Sequence, residues 1–233
     1  MIGKLYIVAT PIGNLEDLSF RALRILQESD FILCEDTRTA EHLLKAYDFR
    51  KPLISFYHHS PASKYVEIKN LLLDGKIVSL VSEAGTPGIS DPGNLLINYL
   101  HQENVCAEII PIPGPCAAIA ALSAAGFSAD RFLFLGFLPT KNKRKKFLAR
   151  ISENMETTVF YESPYRILKT LEELTATIED QNRRIFVGRE LTKKFETSYR
   201  GTFQDIIAQV KTHPIKGEFV VVVEGRSSAA SLV

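Results

Sequence analysis

Eight short runs of apolar, often β-branched residues are strung along the chain, most of them separated by stretches of helical length: LYIVA (5–9), FILC (31–34), IVSLV (77–81), AEIIPI (107–112), FLFLGF (132–137), TTVFYE (157–162), RIFVG (184–188) and FVVVV (219–223). Apolar residues at consecutive rather than alternate positions mark strands covered on both faces, and such strands belong to sheets flanked by helices. The intervening segments have the matching period. Leu18 to Leu26 places Leu18, Ala22, Leu23, Ile25 and Leu26 near one helical face, and Ser163 to Leu174 does the same with Ile167, Leu168, Leu171 and Leu174. Strand, helix, strand is the pattern of an α/β protein.

The alternation is interrupted at PIPGPCAAIAALSAAG, where Pro111, Pro113, Gly114 and Pro115 precede a helix of small residues. Two α/β domains are therefore expected. Residues 1–112 should carry a mainly parallel sheet. Residues 113–225 should carry a mixed one, because RRIFVGREL and KFETSYRGTF read as neighbouring strands joined by TKK. The small, polar residues 226–233 read as a flexible tail. Lys and Arg number 28 against 27 Asp and Glu, so only local clusters of charge can inform on partners. Three cysteines without a C-x-x-C pattern fit a reduced, cytoplasmic setting without disulfides or zinc. No leader pattern and no run near the roughly 18 apolar residues of a membrane span is evident.

The loop LVSEAGTPGISDPG (80–93) follows an expected buried strand and precedes a helical pattern, so it sits at a strand's carboxyl end, where open α/β sheets bind ligands. Its glycines allow a ligand close to the main chain. Ser90-Asp91-Pro92 reads as a helix N-cap with proline at the start. The first turn, VATPIGN, lacks the G-x-G-x-x-G of dinucleotide folds, and no G-x-x-x-x-G-K-[ST] or G-x-S-x-G is present. Asp36 in CEDTR suits a ribose hydroxyl or a helix N-cap equally well. His58 and His59 form the only histidine pair and read as part of an exposed polar loop, so no metal site is expected.

LYIVATPIGNLEDLS, CEDTR, VSEAGTPGISDPG, PIPGPCAAIAALSAAG, FLGFLP, YESPYRI, GRELTKKFE with RGT, and KGEFVVVVEG occur in an order that resembles the tetrapyrrole methylase family, the class III S-adenosylmethionine methyltransferases. Within it the chain resembles the branch that 2'-O-methylates a cytidine of 16S rRNA near the decoding centre. The likeness spans Leu5 to Gly225. Glu83 stands where aspartate is expected, and many relatives continue beyond the equivalent of VVVVEG.

The resemblance implies two α/β domains with S-adenosylmethionine in the cleft between them, a homodimer, and 16S rRNA in the small subunit as partner. Pro11 would lie on the floor, and Glu83, Ala84, Gly85, Ile89 and Ser90 would form the first wall. Cys116 and Ala117 would meet the ligand at a helix start, and Tyr161, Glu162, Leu191, Pro214 and Gly217 would close over the adenine. Methyl transfer to a ribose hydroxyl calls for a proton acceptor. Glu190 is the first choice, with Asp36, Glu83 and Glu162 as alternatives. Lys141, Lys143, Arg144, Lys145, Lys146 and Arg150 put six positive charges into ten residues, a pattern suited to phosphates. Arg38, Arg166, Arg189, Lys193 and Lys194 are further candidates for RNA phosphates, and Tyr161, Tyr165 and Arg166 for stacking on a splayed base. The competing readings are a methylase of a tetrapyrrole or other small molecule, and an inactive ribosome-binding homologue.

Overall fold

The computed structural model describes residues 2–91, 93–212 and 214–226. Pro92, expected at a helix start, and the tail from residue 227 onward lie outside them. The chain divides into two compact units, Met1–Cys116 and Ala117–Val233, so the division falls after the PGP turn rather than before it.

The first unit is built on five strands, β1 (Lys4–Val8), β2 (Phe31–Cys34), β3 (Leu53–Ser55), β4 (Ile77–Leu80) and β5 (Glu108–Ile112), in the order β3-β2-β4-β1-β5. All neighbours run parallel. Four helices connect them: α1 (Phe20–Glu28), α2 (Thr37–Ala46), α3 (Ala62–Leu73) and α4 (Gly93–Gln102). α1 and α2 follow strands whose next strand lies toward the β3 edge, whereas α3 and α4 lead back toward β5. Right-handed crossovers in opposite directions put the two helix pairs on opposite faces. The cores agree. Ala22, Ile25 and Leu26 of α1 and Leu44 of α2 pack with Val8 and Ile32, whereas Ile68 and Leu72 of α3 and Leu96 and Leu100 of α4 pack with Leu5, Ile7 and Leu33. Ser79, fully buried on β4, is satisfied by the Ser29 hydroxyl at 2.6 Å.

The second unit contains α5 (Ala117–Ala125), β6 (Phe132–Phe137), α6 (Arg144–Glu153), β7 (Thr157–Glu162), α7 (Ile167–Thr177), β8 (Arg184–Arg189), β9 (Thr197–Thr202), α8 (Phe203–Lys211) and β10 (Phe219–Val223). Its sheet, β6-β7-β10-β8-β9, is mixed as expected: β6 and β7 are parallel and the remaining pairs antiparallel. One face packs Phe160, Val187 and Val221 against Leu148, Ile151, Leu171 and Ile206 of α6 to α8. The other receives α5, whose buried Ala118, Ala121 and Ala125 let its backbone approach β7, β8 and β10.

Several boundaries differ from the sequence pattern. α1 begins at Phe20 rather than Leu18, because the Ser19 side chain accepts from the Ala22 N–H at 3.1 Å and sets the start there. α7 begins at Ile167 rather than Ser163. β3 has no signature in sequence: its three residues are only partly buried. Arg226, counted in the tail, donates its N–H to the Asn154 carbonyl at 2.8 Å. No helix among the described residues is long and apolar enough to cross a membrane, and none of their His, Cys, Asp and Glu side chains form a metal-binding group.

Candidate functional site

In the first unit the chain leaves β2 toward β3 and leaves the adjacent β4 toward β5. Their carboxyl ends therefore part, and such a switch point opens a crevice above the sheet. A pocket of about 310 Å³ lies there. It is lined by Thr10, Pro11 and Gly13 after β1, by Cys34, Glu35 and Asp36 at the end of β2, by Thr39, His42 and Leu43 of α2, and by Val81, Ser82 and Glu83 after β4.

The glycine-rich loop is braced as well as bare. Thr10 and Gly85 exchange both backbone hydrogen bonds, at 2.9 and 3.1 Å, which ties the turn after β1 to the turn after β4. Gly85 has φ +84°, a conformation that a side chain would strain. The Ser82 hydroxyl donates to the Gly85 carbonyl at 3.1 Å and the Thr86 hydroxyl to the Pro115 carbonyl at 3.0 Å. One oxygen of Asp91 accepts from the N–H groups of Gly88 (2.6 Å) and Gly93 (2.9 Å), closing the loop onto the start of α4. Gly114 of the PGP turn lies against β1's end: a Cβ there would come within 2.9 Å of the Ala9 Cβ.

The pocket's neighbouring carboxyls differ sharply. Asp36 caps α2 through the Arg38 N–H at 2.8 Å and pairs with the Arg38 guanidinium at 2.6 Å. The Arg38 side-chain hydrogen bonds, followed by the backbone one, draw its pKa down to about 2. Glu35 is pushed the other way, above the usual carboxylate range, first by burial and then by the negative charges of Asp91 and Glu83. Burial also raises the Cys34 thiol to about 11, with Asp36 adding to it, so this cysteine is a wall residue and not a nucleophile.

Residues 4–207 match the family described as Tetrapyrrole (Corrin/Porphyrin) Methylases. The chain belongs to this family. It is 45% identical over 225 residues to the Ribosomal RNA small subunit methyltransferase I of Synechocystis sp., covering 96% of this chain and 80% of that one. It is 41% identical to the protein of the same name from Thermotoga maritima, over 97% of this chain and 100% of the relative. The Uroporphyrin-III C-methyl transferase of Thermus thermophilus complexed with S-adenyl homocysteine shares the fold, with a TM-score of 0.63 at 16% identity over 94% of this chain and 97% of that structure.

Of the positions that resemblance to tetrapyrrole methylases assigns to the cofactor, Pro11 and Glu83 line the pocket. Ala84, Gly85, Ile89 and Ser90 belong to the braced loop that follows, with Ile89 and Ser90 exposed, and Cys116 stands half-buried just before α5. Glu35, His42 and Leu43 line the pocket without having been singled out from sequence. The signal for Glu35 was its place, one residue past a buried strand run.

The second unit reassigns several candidates. Glu162 is 1% exposed: one carboxylate oxygen pairs with Arg166 at 2.7 Å and accepts the Ser163 N–H, and the other accepts the Thr170 hydroxyl at 2.8 Å. A carboxylate so enclosed is a structural hub, not a proton acceptor for a substrate. Arg144 is correspondingly no part of the basic surface, since it is 9% exposed and binds Glu173, Thr170 and the Pro139 carbonyl. Arg166 also points inward, donating to the Leu138 carbonyl at 2.9 Å. Glu190, with φ 50°, accepts from the Glu218 N–H at 2.8 Å and from Lys193 at 3.1 Å, and Gly217 leaves it room, since a Cβ there would come within 2.5 Å of its side chain. Burial would raise its pKa, but these hydrogen bonds outweigh that and hold it below the usual carboxylate range. Glu190 thus brackets the 190–196 loop to the residues before β10. Arg189 donates to the Lys216 carbonyl at 2.8 Å. Tyr161 sits edge-on to Phe134 at 5.3 Å, and Leu191 covers Gly188. Lys141, Lys143, Lys145, Lys146, Arg150, Lys194 and Pro214 are exposed.

Proposed function

We propose that this chain is an S-adenosylmethionine-dependent methyltransferase that methylates small-subunit ribosomal RNA, at the ribose 2'-oxygen of a 16S rRNA cytidine. The near-full-length 45% identity to the Synechocystis Ribosomal RNA small subunit methyltransferase I carries the reading. The pocket is compatible with the cofactor. Its volume is at the lower end of the range for small-molecule sites, and Glu35 and Glu83 suit a ligand bearing ammonium and sulfonium charges. Pro11, Glu83, Ala84 and Gly85 would hold it, with Ile89, Ser90 and Cys116 near the loop's far end.

When bound, the cofactor supplies an activated methyl group for in-line displacement. The protein's task is then alignment and removal of one proton. Neighbouring carboxyls driven to opposite proton affinities are the arrangement expected where one must accept a proton. Glu35 takes that role, because burial gives its carboxylate a higher proton affinity than that of Asp36. Glu83 keeps the pocket negative. The same reading carries to this chain a homodimeric state and a cytoplasmic setting; light scattering on the purified protein tests the former.

Incubation with methyl-labelled cofactor, unmethylated small subunits and, separately, a tetrapyrrole precursor tests the proposal. Label recovered in RNA as 2'-O-methylcytidine supports it. Label only in the tetrapyrrole would favour the activity that the family's description names, and label in neither would leave a binding protein.

A further inference from the structure

Tyr165 is 95% exposed, yet the turn carrying it is held by a set of backbone and side-chain bonds. Pro164 precedes it. Behind it the Arg166 N–H and the Ile167 N–H both donate to the Ser163 carbonyl, at 3.1 and 3.0 Å. The Arg166 guanidinium reaches the Ser163 hydroxyl (3.2 Å), the Leu138 carbonyl (2.9 Å) and the buried Glu162 (2.7 Å). An aromatic ring on a rigid support, left in water, is prepared for a partner that is itself flat.

The same clamp joins this turn to the basic segment. Arg166 holds Leu138, Arg144 holds Pro139 from the first residue of α6, and both arginines converge on Glu162. Lys141, Lys143, Lys145 and Lys146 surround that helix start and are exposed. Their placement works against the helix. The N-terminus of a helix carries partial positive charge and favours acidic side chains, whereas the first turn of α6 has none and Lys143 adopts a left-handed φ of 67° without a capping side chain. Cations added to the positive end of a helix concentrate the field there and suit a polyanion.

We propose that Tyr165 and the lysines at the start of α6 form a landing site for a single-stranded stretch of RNA. The ring stacks beneath one unpaired base and the lysines hold the phosphates flanking it. Base stacking on aromatic side chains beside a cationic track is how proteins hold unpaired strands, and a duplex offers no free base face to the ring. The inference rests on the RNA reading above and narrows the three stacking candidates to one, since Arg166 is turned inward and Tyr161 packs on Phe134, whereas Tyr165 is exposed beside the lysines.

The test is fluorescence anisotropy of the full chain with an unstructured 16S rRNA oligonucleotide, over a salt series, with Y165A, Y165F and K143A. Y165A should bind roughly 5- to 150-fold more weakly, the range for loss of one stacked base, with an unchanged salt slope. K143A should lower that slope by about one. Y165F, which keeps the ring, should bind like the unsubstituted protein. The melting temperature and cofactor titration should be unaltered in Y165A, because the side chain is solvent-exposed. Unchanged affinity of Y165A would overturn the landing site, as would equal losses in Y165A and Y165F or equally tight binding of a duplex. In each of those results the unsubstituted protein still binds RNA; its failure to bind any would instead remove the RNA reading itself.

Discussion

Adjacent in sequence, Glu35 and Asp36 meet different surroundings. Asp36 gains an N–H and a guanidinium, and Glu35 gains burial and two negative neighbours. Protonated Glu35 cannot accept a proton, so kcat/KM should fall as pH drops below its raised pKa. E35Q should lose about 100- to 10,000-fold in activity, and its residual rate should lack that acid limb. A pH-rate profile with the same limb in E35Q would exclude the role. Asp36 has the opposite linkage. Its folded pKa is depressed from 3.8 to about 2, so its contribution to stability is present above the unfolded value and is lost as pH falls through about 2. Gly114 is fixed by space alone. G114A brings a Cβ against Ala9 and should cost about 1–3 kcal/mol in denaturant unfolding. Sequence left Asp36 open between a ligand contact and a helix cap, since both use the same carboxylate; the cap at the start of α2 is present, and the same residue also lines the pocket.

At the scale of elements, α6, α7 and β7 are joined by the Arg144, Glu162, Thr170 and Arg166 cluster. Removing the central acid leaves the inward-pointing Arg166 guanidinium without its carboxylate, while Arg144 keeps Glu173. E162A should therefore lose about 3–5 kcal/mol, the cost of breaking a buried ion pair from one side, and calorimetry would show it. α8 starts at a complete capping box, in which Thr202 and Asp205 satisfy each other's N–H groups. T202A should cost about 1 kcal/mol by the same measurement. The lysine run was legible as a charge cluster, but Arg144 within it was not separable from its neighbours. Five of the six cations face water and one is a core residue, and the helical phase that separates them begins only where α6 does. β3 escaped notice because three half-buried residues carry no period.

At the scale of the whole molecule, ligand binding stabilises whichever unit holds the site. Cofactor at 100 times its Kd should add about 2.7 kcal/mol to the stability of the first unit, visible as a higher Tm by calorimetry, with E83K reducing the shift. The amino-acid sequence by itself determined the class and order of most elements, the parallel and the mixed sheet, and the family, because apolar period, turn residues and motif order are local properties. Only the tertiary structure decided what the charged side chains do. Glu162, Glu190 and Arg144 have the chemistry of site residues, and partners brought from distant positions, such as Glu218 for Glu190 and Glu173 for Arg144, turn them into braces. The pocket was legible only in part: sequence placed a site at the carboxyl end of β4 and resemblance supplied Pro11 and Glu83, but not the wall that β2 and α2 contribute through Glu35, His42 and Leu43. It exists where β2 and β4 become neighbours and send the chain in opposite directions, and adjacency in a sheet is not a local property.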